Sequence, residues 1–466
     1  MFLLSSIFFL KSNTSVRFQP STVSSNENEH VLRLWILRTT PILIFSFLLS
    51  SFFFLSGTGI YAGDEECYNV FAELFVPVIE DYHHYHFIDT KAGVSSSPNN
   101  NTTLSTSTSA AKPASTSSSS SSSSSIVSAN RRLSKLRRQF TNLNPNHILQ
   151  QKLDANGDYI LKTRMRVARS IKGFPFSPVI SREKRRELEN LFMDCVEEDW
   201  NKSYSHDINE DDDNDDGDDE LFRSYNNNGG LRGGTYLRVM DMTNDEHDDL
   251  IKRHILFHDP DELNISAGIG RDYPDGRGIY LSNSDDDEWN NNLSDTVVSS
   301  NSTRKDNPDL MMWLNKEDHL RIIATSNGGD ISAVFSRLSL ALTQVEQSLH
   351  KRGHAFCQHP RYGFVNTSPE NLGTALRASV FIKLYRLGQQ PGFDKLLDRL
   401  RLESSSRFKD KQSGGTYTGI FDIANSDRLG QSEVHLINTM IEGVGRLIEL
   451  EKRLEKGEEV DLDEVK

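Results

Sequence analysis

The sequence is short of cysteine and of positive charge. Three cysteines occur in 466 residues, at Cys67, Cys195 and Cys357, and none belongs to a CxxC pair. Neither a disulfide framework nor a zinc site is therefore indicated, and a reducing, cytoplasmic compartment is predicted. The formal net charge of −14 gives no reason to expect a nucleic-acid partner. The sequence also lacks a match to GxxxxGK[ST], which excludes a P-loop nucleotide site.

Apolar residues make up 36% of the chain, and three long stretches hold few of them. Residues 92–130 include nine consecutive serines, residues 207–220 hold ten acidic and no basic residues, and residues 282–309 are rich in Asn, Ser and Asp. Such segments cannot bury enough apolar surface to fold, so we interpret all three as insertions. The rest of the chain is long enough for two domains.

The first 55 residues form an atypical apolar segment. MFLLSSIFFL lacks the basic start of a signal peptide. The uncharged run up to Leu55 is apolar from Pro41 onward, which is shorter than the ~20 residues that a membrane helix needs. Two alternatives stay open for this segment: a membrane anchor through residues 39–56, or a mis-assigned start of the chain.

Two patterned regions remain, at about 56–150 and 151–466. In the first, Phe71, Leu74, Phe75, Val78 and Ile79 recur at helical spacing. Pro77 lies inside this pattern and predicts a kink or a break. The second region mixes alternating strands with amphipathic helices, which are predicted at about 331–350 and around 437–448.

Arginines recur on one face of three predicted strands. YILKTRMRVARS places Arg164 and Arg166 on the polar face, LRASVFIKL places Arg377 there, and HLRII adds Arg321, with Glu317 at the entrance of its strand. One alternative is a half-exposed sheet whose basic face meets water. Three such strands favour a phosphate site instead, because the fixed fork of arginine matches phosphate oxygens.

Together these motifs resemble the guanidino (phosphagen) kinases, the family of arginine kinase and creatine kinase. The resemblance covers about residues 56–81 and 159–456. It rests on TRMRVARSIKGFPF, RDYPDGRGIY, WLNKEDHLRII, SPENLGTALRASV and FDIANSDRLG, in the family's order. It implies an α+β architecture: a small all-helical N-terminal domain beside a larger catalytic domain of antiparallel β-sheet flanked by helices. The implied bounds are 56–150, with the insertion 92–130, and 151–466, with the insertions 207–220 and 282–309.

The resemblance also implies reversible transfer of the γ-phosphoryl group of MgATP to the guanidinium of a small molecule. The implied catalytic residues are Glu317, Arg321, Arg377 and Ser368. The implied ATP and ADP contacts are Thr163, Arg164, Met165, Arg166, His254, Arg321, Arg377, Ala378, Ser379, Val380, Phe381, Arg407 and Gln412. The implied substrate contacts are Gly57, Thr58, Gly59, Ile60, Tyr61, Glu317 and Ser368. No protein ligand to Mg²⁺ is predicted, and the chain is expected to be a monomer or a homodimer.

Substrate choice rests on SGTGIYAGDEE, residues 56–66, which resembles the short specificity loop of arginine kinases. L-arginine is therefore the predicted acceptor, with phosphagen energy buffering as the role. The C-terminal tail is more similar to creatine kinase, so taurocyamine or creatine is an alternative acceptor, and a protein-arginine kinase is another. Ser368 stands where the family usually has a reactive cysteine, and Gln412 aligns with a carboxylate of arginine kinases. A catalytically weakened nucleotide-binding scaffold is thus a further alternative.

Overall fold

The computed structural model describes a defined part of the chain: residues 7–9, 58–87, 141–151, 153–201, 231, 233–282, 308–405 and 418–462. The predicted insertions 92–130 and 207–220 lie outside the described residues, as does most of 282–309. The possible anchor at 39–56 also lies outside them. Within the described ranges, no helix combines the length and the apolar character that crossing a membrane requires.

We call residues 56–150 the smaller region and residues 151–466 the larger region. An eight-stranded antiparallel sheet forms the centre of the larger region. The described residues form twelve strands in all: β1 (Ile7–Phe9), β2 (Ile60–Ala62), β3 (Ile160–Arg169), β4 (Thr235–Arg238), β5 (Gly278–Leu281), β6 (Leu310–Leu314), β7 (Leu320–Asn327), β8 (Gln358–His359), β9 (Gly363–Phe364), β10 (Leu376–Lys383), β11 (Leu402–Ser405) and β12 (Ile420–Asn425). The large sheet has the order β11-β12-β10-β3-β7-β6-β5-β4. β1 pairs with β2, and β8 pairs with β9.

Eight α-helices occur among the described residues. They are α1 (Cys67–Val70), α2 (Ala72–His83), α3 (Arg182–Asp194), α4 (Asn244–Lys252), α5 (Glu262–Ser266), α6 (Ile331–Lys351), α7 (Phe393–Arg399) and α8 (Glu433–Glu455). A π-helical turn, Cys195–Trp200, continues α3. The two long amphipathic helices predicted from the sequence are confirmed as α6 and α8.

One face of the sheet is the main core. Met165 and Val167 of β3 are fully buried there, together with apolar residues of α6 and α8. Because side chains alternate along a strand, Arg164 and Arg166 of β3 must lie on the opposite face. Burying each apolar side chain stabilises the fold by roughly 1.5–3 kcal/mol, so this alternation fixes which face the arginines occupy.

The helices α1 and α2 pack on a loop segment of the larger region. Tyr68, Phe75 and Ile79 share a buried cluster with Tyr362 and Leu372. A kink or a break is predicted at Pro77, and the break is wrong: α2 runs through the proline, and the helical run is interrupted before Ala72 instead. The kink stays a prediction. Burial of side chains on both sides of the proline stabilises the helix against its missing hydrogen bond. The fold class predicted from the sequence is confirmed.

Candidate active site

Five cations gather on the face of the sheet opposite the core. We name Lys162, Arg164, Arg166, Arg321 and Arg377 the basic cluster. The register brings them together, since Arg166 lies directly opposite Arg377 of β10. Arg321 of β7 lies opposite Ala168, the position that follows Arg166 on the same face of β3. Directly opposed residues have Cβ atoms about 4.5–5.5 Å apart, so the cluster is a product of strand pairing.

The basic cluster holds more positive charge than its surroundings neutralise. Burial and then the charges of Arg321 and Arg377 lower the pKa of Arg164 to about 10, against the opposing effect of Asp422. Burial and the same neighbours also lower the pKa of Arg166. Neither arginine forms an ion pair with a described residue, and the buried Nε of Arg164 has no hydrogen-bond partner there. Such an arrangement favours a multiply charged anion.

Arg377, unlike Arg164 and Arg166, has acidic partners. Its Nη2 lies 3.2 Å from Oδ2 of Asp422, and its Nε lies 3.3 Å from Oε1 of Glu403. These contacts fix the orientation of its guanidinium. Sequence reasoning missed both acids, although the alternation in FDIAN places Asp422 on the polar face of β12.

Glu317 lies at the end of the basic cluster, in the turn between β6 and β7. Its Oε2 accepts a hydrogen bond from Nη2 of Arg321 at 2.9 Å and lies 3.7 Å from Nζ of Lys316. Burial alone would raise the pKa of Glu317, but Arg321 and Lys316 outweigh it and lower the pKa below its usual value. The carboxylate is therefore ionised at neutral pH and contacts Arg321, which follows it by four residues.

A buried network holds the turn of Glu317 against the segment 366–371. Asp318 accepts hydrogen bonds from the backbone N–H of Thr367 and from Nδ2 of Asn371, both at 3.0 Å. The hydroxyl of Thr367 donates to the carbonyl of Glu317 at 2.9 Å. Burial and the charge of Glu317 raise the pKa of Asp318 to about 6. The sequence did not reveal these partners of Asp318.

Ser368 is fully buried in that same segment, next to Thr367. Its Oγ accepts a hydrogen bond at 3.4 Å from the backbone N–H of Glu370, where a short turn, Pro369–Asn371, begins. The structure therefore brings Ser368 beside the turn that carries Glu317.

The predicted specificity loop reaches the same end of the site. Gly57 lies outside the described residues, whereas Thr58 is buried and Gly59 has a left-handed φ of 69°. Tyr61 is buried, and its pKa is raised by burial and then by the charges of Glu317 and Glu370. Its phenol is therefore neutral and close to both carboxylates. Ile60 lies beside it in the core of the smaller region.

The remaining predicted nucleotide contacts fall into three groups. His254 follows α4, and burial and then the charges of Arg164 and Lys162 lower its pKa, which places it near the basic cluster. Ser379 and Phe381 of β10 share the face of the basic cluster. The structure does not bring the side chains of Thr163, Met165, Ala378 and Val380 to that face, and Arg407 and Gln412 lie outside the described residues.

A family model for the ATP:guanido phosphotransferase C-terminal catalytic domain matches residues 219–454, and the model for the N-terminal domain matches residues 55–80. The chain belongs to the ATP:guanido phosphotransferase family. It is thus a phosphagen (guanidino) kinase, an enzyme that uses MgATP and ADP. The resemblance seen in its motifs is confirmed.

Named relatives of this phosphotransferase differ in their acceptors. Creatine kinase B-type of Gallus gallus is 33% identical over 413 residues, which are 88% of this chain and 81% of the relative. Creatine kinase M-type of Homo sapiens is 31% identical over the same shares. A lombricine kinase structure superposes with a TM-score of 0.58 at 26% identity, over 86% of this chain and 83% of that one. The duplicated taurocyamine kinase of Schistosoma mansoni shares the fold, with a TM-score of 0.58 at 24% identity, over 85% and 41%.

The described residues hold no group of three or more His, Cys, Asp and Glu side chains arranged to bind a metal ion. Mg²⁺ prefers oxygen ligands and in kinases is commonly bound through substrate phosphates and water. The basic cluster, in which Arg164 and Arg166 have no ion-pair partner among the described residues, would fit the phosphates of a nucleotide that brings its own magnesium.

Proposed function

We propose that this guanidino kinase phosphorylates L-arginine. In this proposal the basic cluster binds the phosphates of ATP, and Glu317 binds the guanidinium of the acceptor. The observation that carries the proposal is the contact of Glu317 with Arg321 at 2.9 Å. It places an anion for the acceptor next to a cation for the donor. Phosphoryl transfer depends mainly on such placement and on neutralisation of the charge that spreads over the phosphoryl oxygens.

The basic cluster supplies the neutralisation in this proposal. Arg164 and Arg166 have no anionic partner among the described residues, so their N–H groups are available to phosphate oxygens. Mg²⁺, when bound with the nucleotide, supplies additional positive charge at the phosphates. Arg377 is held in place by Asp422 and Glu403 and therefore presents its guanidinium without reorganisation.

Glu317 has two roles in this proposal. Its ionised carboxylate binds the acceptor guanidinium and aligns one nitrogen with the γ-phosphorus. The same carboxylate accepts the proton that this nitrogen loses on phosphorylation. His254, Ser379 and Phe381 would complete the nucleotide site, and Ser368 would face the acceptor.

The choice of arginine rests on the short loop 56–66. Thr58 and Gly59 open this loop, and Tyr61 lies beside the carboxylates that would hold the guanidinium. Backbone N–H groups of a glycine-rich turn are suited to an amino-acid carboxylate. We further propose that 56–150 and 151–466 are the two domains and that 1–55 is a separate segment.

Creatine is the second candidate acceptor, because a creatine kinase is 33% identical to this chain over most of its length. Taurocyamine and lombricine follow from the structural neighbours, and a protein-arginine kinase or a weakened scaffold are further alternatives. A single assay separates them: ADP formation from MgATP with free arginine, creatine, taurocyamine, lombricine and an arginine-rich protein. We expect arginine to give the largest kcat/KM. A clear preference for another acceptor contradicts the arginine assignment, and ATP binding without turnover on any of them favours the scaffold.

A further inference from the structure

We propose that Glu370 is a second carboxylate for the acceptor guanidinium and thereby a specificity-determining residue. This inference rests on the proposed function, since it concerns the same acceptor site. Glu370 occupies the middle of the short turn Pro369–Asn371, two residues after Ser368.

The backbone of Glu370 is held from three directions. Its N–H donates to Oγ of Ser368 at 3.4 Å, its carbonyl accepts from Nη1 of Arg428 at 2.9 Å, and the next side chain, that of Asn371, donates to Asp318 at 3.0 Å. Asp318 directly follows Glu317. The turn is therefore fixed in place relative to the carboxylate proposed to bind the acceptor.

In the part of the chain that the structure describes, the carboxylate of Glu370 has fewer hydrogen-bond partners than its backbone. Among the described residues it accepts one hydrogen bond, from the hydroxyl of Tyr82 at 3.4 Å, which is long for an O–H donor. An ionised carboxylate has about four acceptor positions. Burial and then the charge of Glu317 raise the pKa of Glu370, and the charges of Arg428 and Arg321 oppose this only in part.

A guanidinium matches this pair of acids. It carries five N–H donors in a plane when it is attached to one carbon chain. Glu317 cannot satisfy them alone, since its Oε2 already contacts Arg321 and Lys316. The hydroxyl of Thr367, three residues before Glu370, donates to the carbonyl of Glu317 at 2.9 Å, so the turns that carry the two acids lie side by side. The charges of both acids also act on Tyr61 of the specificity loop, and we place one acceptor position between the two carboxylates and this phenol. A cation bound there would relieve the repulsion between the acids.

Glu370→Gln tests the inference, because the amide keeps the shape and removes the charge. We expect KM for the acceptor to rise about 10-fold or more, as for loss of a charge-assisted hydrogen bond, with kcat reduced less. The dissociation constant for ADP should stay within about two-fold. Glu370→Asp should recover part of the loss, and Tm should not fall, since repulsion with Glu317 is relieved. Glu449→Gln, an exposed acid on α8 paired with Arg446 at 2.7 Å, is the matched control.

The outcomes separate this inference from the proposed function. An active wild type with unchanged acceptor KM in Glu370→Gln overturns the inference alone. So does a variant that loses ADP affinity in the same proportion, or one whose Tm falls while Glu370→Asp restores stability without lowering the acceptor KM. A wild-type protein that turns over none of the guanidino acceptors overturns the proposed function and this inference with it.

Discussion

The acidic end and the basic end of the candidate site differ in how fully their charged groups are paired. At the acidic end, Asp318 accepts two hydrogen bonds at 3.0 Å and Glu317 contacts Arg321 at 2.9 Å. At the basic end, Arg164 and Arg166 have no ion-pair partner among the described residues and repel each other. The acidic end is built before any ligand arrives, whereas the basic end is completed by one.

This difference indicates that the acidic end acts mainly on phosphoryl transfer and the basic end mainly on nucleotide binding. A preformed acidic end positions the acceptor without reorganisation, which is the condition for efficient transfer. An uncompensated basic end costs stability in the protein alone and returns that free energy when an anion binds. Substitutions at the two ends should therefore separate catalysis from nucleotide binding.

Glu317→Gln should give the largest effect and should act on turnover. Loss of a general base and of the charge facing the guanidinium reduces kcat by roughly 10²–10⁴-fold. The dissociation constant of ADP, measured by calorimetry, should change little because the basic cluster is intact. Equal loss of ADP affinity would contradict the separation of the two ends.

Arg164→Ala should act on nucleotide binding instead, as should Arg321→Ala and Arg377→Ala. A charge-assisted hydrogen bond contributes about 1.5–3 kcal/mol, so the dissociation constant of ADP should rise by about 10–100-fold. For Arg164→Ala the Tm of the ligand-free protein should not fall, because a buried and repelled charge is removed. Arg446→Ala on α8 is the control. Normal ADP affinity in all three variants would refute the phosphate assignment.

Asp318→Asn should change how stability depends on pH. Because the folded-state pKa of Asp318 is raised to about 6, the folded protein binds the extra proton below that pH, and the contribution of Asp318 declines as pH rises from about 4 to 6. The substitution removes this decline. Its cost in the free energy of unfolding should thus be larger at low pH than at neutral pH, by roughly 3 kcal/mol. Urea unfolding at several pH values measures it, and a cost independent of pH would argue against the shifted pKa.

Deleting residues 92–130 and 207–220 should have the smallest effect. Their composition cannot supply a core, so both ends of the site should keep their properties. Tm, kcat and the ADP dissociation constant of each deletion variant provide the check. A large fall in Tm for either variant would show that the segment is part of the packed structure.

The sequence predicted the basic end better than the acidic end. Alternation along β3 and β10 is local, so the shared face of Arg164, Arg166 and Arg377 follows from period-two patterning alone. The partners of Asp318 lie 49 and 53 residues away, at Thr367 and Asn371. No local pattern encodes such long-range contacts.

The same limit explains the outcome at Pro77. Tertiary burial on both sides of Pro77 outweighs its local cost in α2. Met165, expected among the nucleotide contacts by resemblance, lies in the core because its strand alternates. Strand periodicity thus decides which side chains of β3 share the face of the basic cluster.

The segment 366–371 is held on both sides at once. The hydroxyl of Tyr68 donates to the carbonyl of Asn366 at 2.7 Å, the N–H of Ala62 donates to the carbonyl of Thr367 at 2.8 Å, and Asp318 binds the same segment from the sheet. The segment 366–371 therefore connects the smaller region to the turn of Glu317 through hydrogen bonds. A displacement of β2 or α1 would thus be transmitted to the turn of Glu317, whereas the pairing of β3 with β10 would not have to change.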